Sequence, residues 1–174
     1  ALSICVDESF NSITIDGCMS TNDGVFFMAN GLAGNRTIRY GSGDFNTFLK
    51  VLRVLTVGLA KMLVEDAEGA TKFICIKVSG ARSLKEAREC AFKVANSNLL
   101  KCAIYGENPN IGRIVAAVGS SSVYIKESDL KIAVSPLHKK EINIDINLNR
   151  GNQKAVVYTC DLTPEYVRIN AEYN

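Results

Sequence analysis

The stretch "FICIKV", residues 73–78, is apolar in both phases of its alternation: Ile74, Ile76 and Val78 in one, Phe73 and Cys75 in the other. Successive side chains of a β-strand point to opposite faces, so a strand of this kind has to be covered on two sides. Such a strand belongs inside a layered structure.

Its neighbours in the chain supply candidate layers. Upstream, Phe45, Phe48, Leu49, Leu52, Leu55, Leu59, Met62 and Leu63 recur at helical spacing, which predicts an amphipathic helix over 45–64 with Asp44 as its N-cap. Gly69 stands where a left-handed residue would close that helix. Downstream, "SLKE" at 83–86 is a capping box, with Ser83 accepting from the third helical amide and Glu86 reaching back to the cap. The helix it opens buries Ala87, Cys90, Ala91 and Val94. "IGRIVAAVG" reads as a shorter third helix closed by Gly119.

The rest of the chain is richer in strand signals. "SFNSITIDG" puts Ile13 and Ile15 in a short strand that ends in a turn, and "GLAGNRTIRYGSG" is an aperiodic, glycine-rich surface loop. "SVYIK" and "LKIAV", separated by "ESD", form a hairpin pattern. "EINIDINLN" alternates Ile142, Ile144, Ile146 and Leu148 with polar residues and turns through Arg150 and Gly151 into "KAVVYTC", a second hairpin with one wet face. Helices and strands interspersed but ending in hairpins predict an α/β fold, a mixed sheet packed with helices.

With 47% hydrophobic and 22% charged residues, the 174-residue chain has enough apolar material for one domain, or for two subdomains of about 1–120 and 121–174. A net charge of +2 without a basic run or arginine-aromatic interleaving argues against nucleic acid as a partner. No run of about twenty apolar residues could span a bilayer, since Lys50, Arg53 and Lys61 interrupt the longest apolar helix. The six cysteines have no C-x-x-C spacing, and Cys75 and Cys90 fall at apolar positions, as reduced core thiols do. The one histidine, His138, lies in a polar segment far from any cysteine pair, so no metal site is predicted. A serine or cysteine triad would need a better-placed histidine base.

Three polar clusters are candidate sites. "STND" (Ser20, Thr21, Asn22, Asp23) is a self-bonded turn, a partly buried network or the wall of a polar pocket. In "NPNIGR", Asn108, Asn110 and Arg113 gather at a helix start, either as an ordinary cap with a surface arginine or as an anion site. Glu65, Asp66 and Glu68 crowd the end of the long helix, where exposed carbonyls are already negative. They are a solvated end relieved by Lys61 and Lys72, or one of them receives an ammonium group from a ligand.

Four blocks, "SFNSITIDGCMSTND", "DAEGATK", "GARSLKEARECAFKVANSNLLKCAIYGENPNIGRIVAAVG" and "CDLTPEYVRINAEY", resemble in order the ornithine acetyltransferases, or ArgJ proteins, of arginine biosynthesis. Cys18, Gly24 and Ile111 depart from the family's usual acid, threonine and tryptophan, and the chain around "SPLHKKE" is shorter than in relatives.

The resemblance implies a layered α/β sandwich of the N-terminal-nucleophile type, with this chain as the β chain of a self-cleaved precursor. The α chain would be its partner in an α2β2 heterotetramer. The expected activity is glutamate N-acetyltransferase: a threonine hydroxyl takes acetyl from N-acetylornithine and passes it to glutamate. That threonine is expected upstream of Ala1, so no catalytic residue is assigned within the chain. Glu68 and Asn170 match the family's substrate contacts, while "STND", Asn110 and Arg113 become candidate walls of the site. Members usually carry a further Thr or Ser contact beyond the asparagine; the sequence given ends at Asn174, and no residue is nominated. No cofactor is implied, with acetyl-CoA open as a second acetyl donor. The location expected is cytoplasmic, or the mitochondrial matrix or plastid in a eukaryote. Two other classes stay open, a related aminopeptidase of similar architecture and a non-catalytic subunit.

Overall fold

The computed structural model describes residues 1–172, so Asn174 lies outside the described residues. A short helix, α1 (Leu2–Glu8), and a turn of 3-10 helix lead through an irregular segment with several turns to the long α2 (Gly43–Glu65). Then follow β1 (Phe73–Ala81), three helices α3 (Leu84–Ala95), α4 (Asn98–Tyr105) and α5 (Ile111–Gly119), three strands β2 (Lys131–Val134), β3 (Glu141–Asn147) and β4 (Gln153–Cys160), and the last helix α6 (Pro164–Ala171).

The four strands form one mixed sheet in the order β2-β3-β1-β4, with β1 parallel to β3 and antiparallel to β4. β1 takes a central place because it has the longest apolar run, and a central strand is covered most completely. Ile74, Ile76 and Val78 lie level with Ile142, Ile144 and Ile146 of β3. They pack with Cys90, Val94, Ile114 and Val118 into the main core between the sheet and the helices α3 and α5. On the opposite face Phe73 and Cys75 join Cys160 and Val64, the last buried residue of α2. Cover there stops at the exposed Lys77, which faces Asp145 at 4.0 Å.

The α/β class and the two-sided cover of β1 are therefore as the sequence predicts, but its strand pairing is not. β3 and β4 do not form a hairpin, because β1 lies between them. "SVYIK" is no strand: Ser122 is tied by its amide and hydroxyl to Glu89 of α3, and β2 pairs with β3 instead. The expected strand at 13–15 shrinks to a single bridge, Ile13 to Tyr158. The sheet draws β1 from the first part of the chain and its other three strands from the second.

Helix ends differ too. Ser42, not Asp44, caps α2, its hydroxyl accepting from the Phe45 amide; Asp44 sits in the first turn, where a negative charge suits the dipole. Ser83 caps α3 as expected, while Glu86 reaches past it to the Arg82 amide at 3.0 Å. Asn96 ends α3 and Ser97 restarts the chain as α4, a break the helical pattern hides. Gly119 belongs to α5, which Ser120 ends in ordinary right-handed geometry.

The largest departure concerns the apolar face of α2. Only Leu52, Thr56, Ala60 and Val64 are buried, a narrow stripe of one residue per turn. Leu55, Leu59, Met62 and Leu63, members of the predicted apolar stripe, are exposed, and so are Val51 and Val54. The helical period is right, but most of the stripe is left uncovered by the described residues.

Candidate functional site

The acidic end of α2 meets the start of α6 across two interlocking turns. After Glu65 the chain folds back through the bonds Ala67 N–H to Val64 O and Ala70 N–H to Ala67 O. Gly69 adopts φ +64 within this turn, three residues past the Asp66 cap, so it shapes the turn and does not close the helix. A Cβ on Gly69 would stand 2.6 Å from the Tyr166 nitrogen. Only glycine fits both that conformation and that approach.

Thr163 locks the two turns together. Its hydroxyl caps α6 by accepting from Tyr166 N–H at 3.1 Å and donates to Gly69 O at 2.7 Å. Pro164 at the first helical position suits the preset φ of that turn. One strand end further back, the buried Asp161 carboxylate accepts from the Thr71 and Lys72 amides at 2.8 and 2.9 Å and from the Thr71 hydroxyl. The segment "GATK" is thus zipped to "DLTPEY".

This zip brings together the two residues singled out by resemblance. Asn170 donates its Nδ2 to Glu68 Oε2 at 2.7 Å, across 102 residues of sequence, and also to Tyr166 O at 3.0 Å. Both side chains are exposed. Among the described residues Glu68 has no ion pair, and the two lysines expected to relieve the acidic end are engaged elsewhere. Lys61 lies over the rings of Phe73 and Tyr158, and buried Lys72 pairs with Glu107 at 2.7 Å. The last turn of α2 has no basic residue, so three acids add to the negative end of its dipole. A carboxylate held by an amide, in negative potential, is suited to receive a cation.

The other candidates lie apart or differ from expectation. Ser20, Thr21, Asn22 and Asp23 are all exposed and bond among themselves, as in Asn22 N–H to the Ser20 hydroxyl at 3.1 Å. Within this chain the cluster is a self-bonded, exposed turn and forms no buried network. Asn110 precedes α5 without a side-chain capping bond, and Arg113 donates to Leu99 O. Both line an open groove of about 650 Å³ among α3, α4 and α5, whose lining includes neither Glu68 nor Asn170.

Sequence reasoning missed the contacts that hold this corner together. Tyr166 Oη donates to Asp16 Oδ2 at 2.7 Å, which pushes the phenol up to about 12. The same bond, with a second from Cys18 N–H, lowers the Asp16 carboxyl. The helix-start pattern "DLTPE" signals the Thr163 cap, whereas nothing local signals a contact across 150 residues.

Burial raises the thiols of Cys75, Cys90 and Cys160, keeping them protonated and weakly nucleophilic. Among the described residues no three His, Cys, Asp or Glu side chains are grouped to hold a metal, and no helix is long and apolar enough to cross a membrane.

The family model described as "ArgJ family" matches residues 1–140 and 133–174. The chain belongs to the ArgJ family. It is 41% identical, over 96% of its length, to the arginine biosynthesis bifunctional protein ArgJ of Geobacter sulfurreducens, and 38% identical over 99% to the mitochondrial ArgJ of Dictyostelium discoideum. In both cases it covers 48% of the relative, so it spans about half the length of these ArgJ proteins. The crystal structure of ArgJ from Bacillus halodurans superposes with a TM-score of 0.94 at 38% identity, covering 99% of this chain and 91% of that one. The ArgJ fold is thereby shared, and a relative's solved chain has nearly the same extent.

Proposed function

We propose that this chain is the β chain of a glutamate N-acetyltransferase that moves acetyl from N-acetylornithine to glutamate, with Glu68 and Asn170 as substrate contacts. The observation that carries the reading is the Glu68–Asn170 pair at an acidic helix end without a cation. The Glu68 carboxylate receives an amino group of the substrate, and Asn170 hydrogen-bonds its amino-acid end. A threonine hydroxyl outside these residues attacks the acetyl carbonyl; the C–N bond breaks and the ornithine amine leaves with the proton. Glutamate's amine then attacks the acetyl ester, the C–O bond breaks and the threonine is regenerated. Cofactors are not required by this exchange. Acetyl-CoA serves as a second donor for glutamate in the version suggested by relatives named bifunctional.

The test is acetyl transfer measured against hydrolysis on the complete protein. Labelled acetyl appearing on glutamate supports the reading, whereas release of acetate alone assigns the chain to hydrolases of similar architecture.

The partner in this reading is the other half of the ArgJ length, seated on the outer face of α2 in an α2β2 assembly. Support comes from the exposed Val51, Val54, Leu55 and Met62, from the exposed Phe26 and Met28 in the irregular segment before α2, and from the chain's half-length match to its relatives. A double variant Val54→Asp, Leu55→Asp is expected to weaken association with the co-produced other half by about 100-fold or more, since buried charges at an interface centre cost several kcal/mol. Co-purification and analytical ultracentrifugation check this; undiminished association would move the interface off α2.

A further inference from the structure

Helix α6 carries Asn170 but has no buried residue of its own, so hydrophobic packing does little to fix where it lies. Its ion pairs, Arg168 with Glu165 and with Glu172, are internal and anchor it to nothing. Side-chain hydrogen bonds join it to the body at three places: Thr163 to Gly69 at its start, Tyr166 to Asp16 in the middle, and Asn170 to Glu68 near its end. The last of these is the bond an incoming ammonium competes for, because the Glu68 oxygen that accepts from Asn170 is part of the charge the ligand seeks.

The far side of the middle tether is firmly fixed. Ile13 bridges to Tyr158 at the β4 edge, and Thr14 bonds the Tyr158 carbonyl through its amide and the Asn96 side chain through its hydroxyl. Lys101, 2% exposed, donates its ammonium to Ile15 O. Burying that charge is costly, and here it fixes the residue just before Asp16. Asp16 is therefore a fixed post, and α6, close-packed on Gly69 at its start, has its later turns held chiefly by the Tyr166 and Asn170 side-chain bonds.

We propose that Tyr166 and Asp16 are a positioning pair that holds α6 in register while Glu68 exchanges Asn170 for the substrate's amino group. The inference rests on Glu68 and Asn170 being the substrate contacts. With the latch intact, Asn170 stays beside the ligand when its own bond to Glu68 is given up. Without it, the later turns of α6 must be ordered again at each binding event, a cost that falls on affinity and leaves acetyl transfer at the threonine untouched.

The test uses the complete protein. Tyr166→Phe keeps the half-buried ring and removes the hydroxyl; it is expected to raise KM for N-acetylornithine about five- to tenfold, with kcat within about twofold and Tm unchanged. Asp16→Ala should match it, and the double variant should be no worse than either single, as for two halves of one contact. Asp16→Asn can offer its amide to the phenol oxygen and is expected to restore KM to within about twofold of the parent.

An unchanged KM in Tyr166→Phe, a fall in kcat without a KM change, or additive losses in the double variant would each overturn the latch. Glu68→Gln run in parallel separates the two levels. If it raises KM and Tyr166→Phe does not, the latch alone fails; if Glu68→Gln leaves KM unchanged, the substrate assignment beneath it fails.

Discussion

Glu68→Gln in the complete protein is expected to raise KM for N-acetylornithine by about 10- to 100-fold, the equivalent of about 1.5 to 3 kcal/mol for one hydrogen bond to a charged group. Glutamine has nearly the same shape, and its carbonyl oxygen can still accept from Asn170, which stands 2.7 Å from the carboxylate. The change therefore removes charge and little else. In the proposed reading the contact is to the side-chain ammonium of N-acetylornithine, several bonds from the acetyl carbon, so it would hold ground state and transition state alike and kcat should change far less than KM.

Stability should move the opposite way. Glu68 adds to the negative end of a 23-residue helix with no basic residue in its last turn, so neutralising it removes a few tenths of a kcal/mol of unfavourable interaction. A residue kept for the fold would lose stability and affinity together. Steady-state kinetics and thermal unfolding on one preparation check both signs, and unchanged kinetics would sink the assignment of Glu68.

How much of this corner can be read from the sequence depends on the range of the contact. β1 was legible because its two apolar phases are local, and the start of α3 because Ser83 and Glu86 are three residues apart. The strand order was not. β3 and β4 look like a hairpin from their proximity in sequence, yet the more apolar β1, which ends at Ala81 far upstream of Glu141, displaces that pairing, and no local pattern reports it. α2 shows a related failure: helical periodicity predicts that Leu55 and Met62 are buried without saying against what, and both are exposed here. Glu68 and Asn170 were reached through resemblance to relatives. Their spacing is uninformative, because the turn at Gly69 and the cap at Thr163 bring them together. "STND" is the converse case, since local bonding chemistry allowed a turn, a network or a pocket wall, and exposure within this chain removes only the buried network.

Those two turns also define where the corner is weakest. Asp161 is 3% exposed, and its carboxylate accepts from the amides of Thr71 and Lys72 and from the Thr71 hydroxyl. A buried backbone N–H left without an acceptor costs about 1–3 kcal/mol, and Asp161→Ala strands the buried Lys72 amide and removes the acceptor of the partly buried Thr71 amide. Relaxation and entering water recover part of this, so a net loss of about 2–4 kcal/mol is expected, seen as a lower urea midpoint with an unchanged m-value. Asp161→Asn should cost less, about 1–2 kcal/mol. The amide oxygen still takes the backbone donors, and the hydroxyl can rotate to accept from the new NH2 group. The loss also carries a functional sign. Releasing Thr71 and Lys72 from Asp161 loosens the turn holding Gly69 and Glu68, leaving Thr163 as its remaining side-chain bond to the start of α6, so the alanine variant should lose affinity for N-acetylornithine even at temperatures where it remains folded. Urea titration and KM measured on both variants decide it: an alanine variant within about 0.5 kcal/mol of the parent, the range of ordinary surface changes, would show that the carboxylate does not hold these turns together.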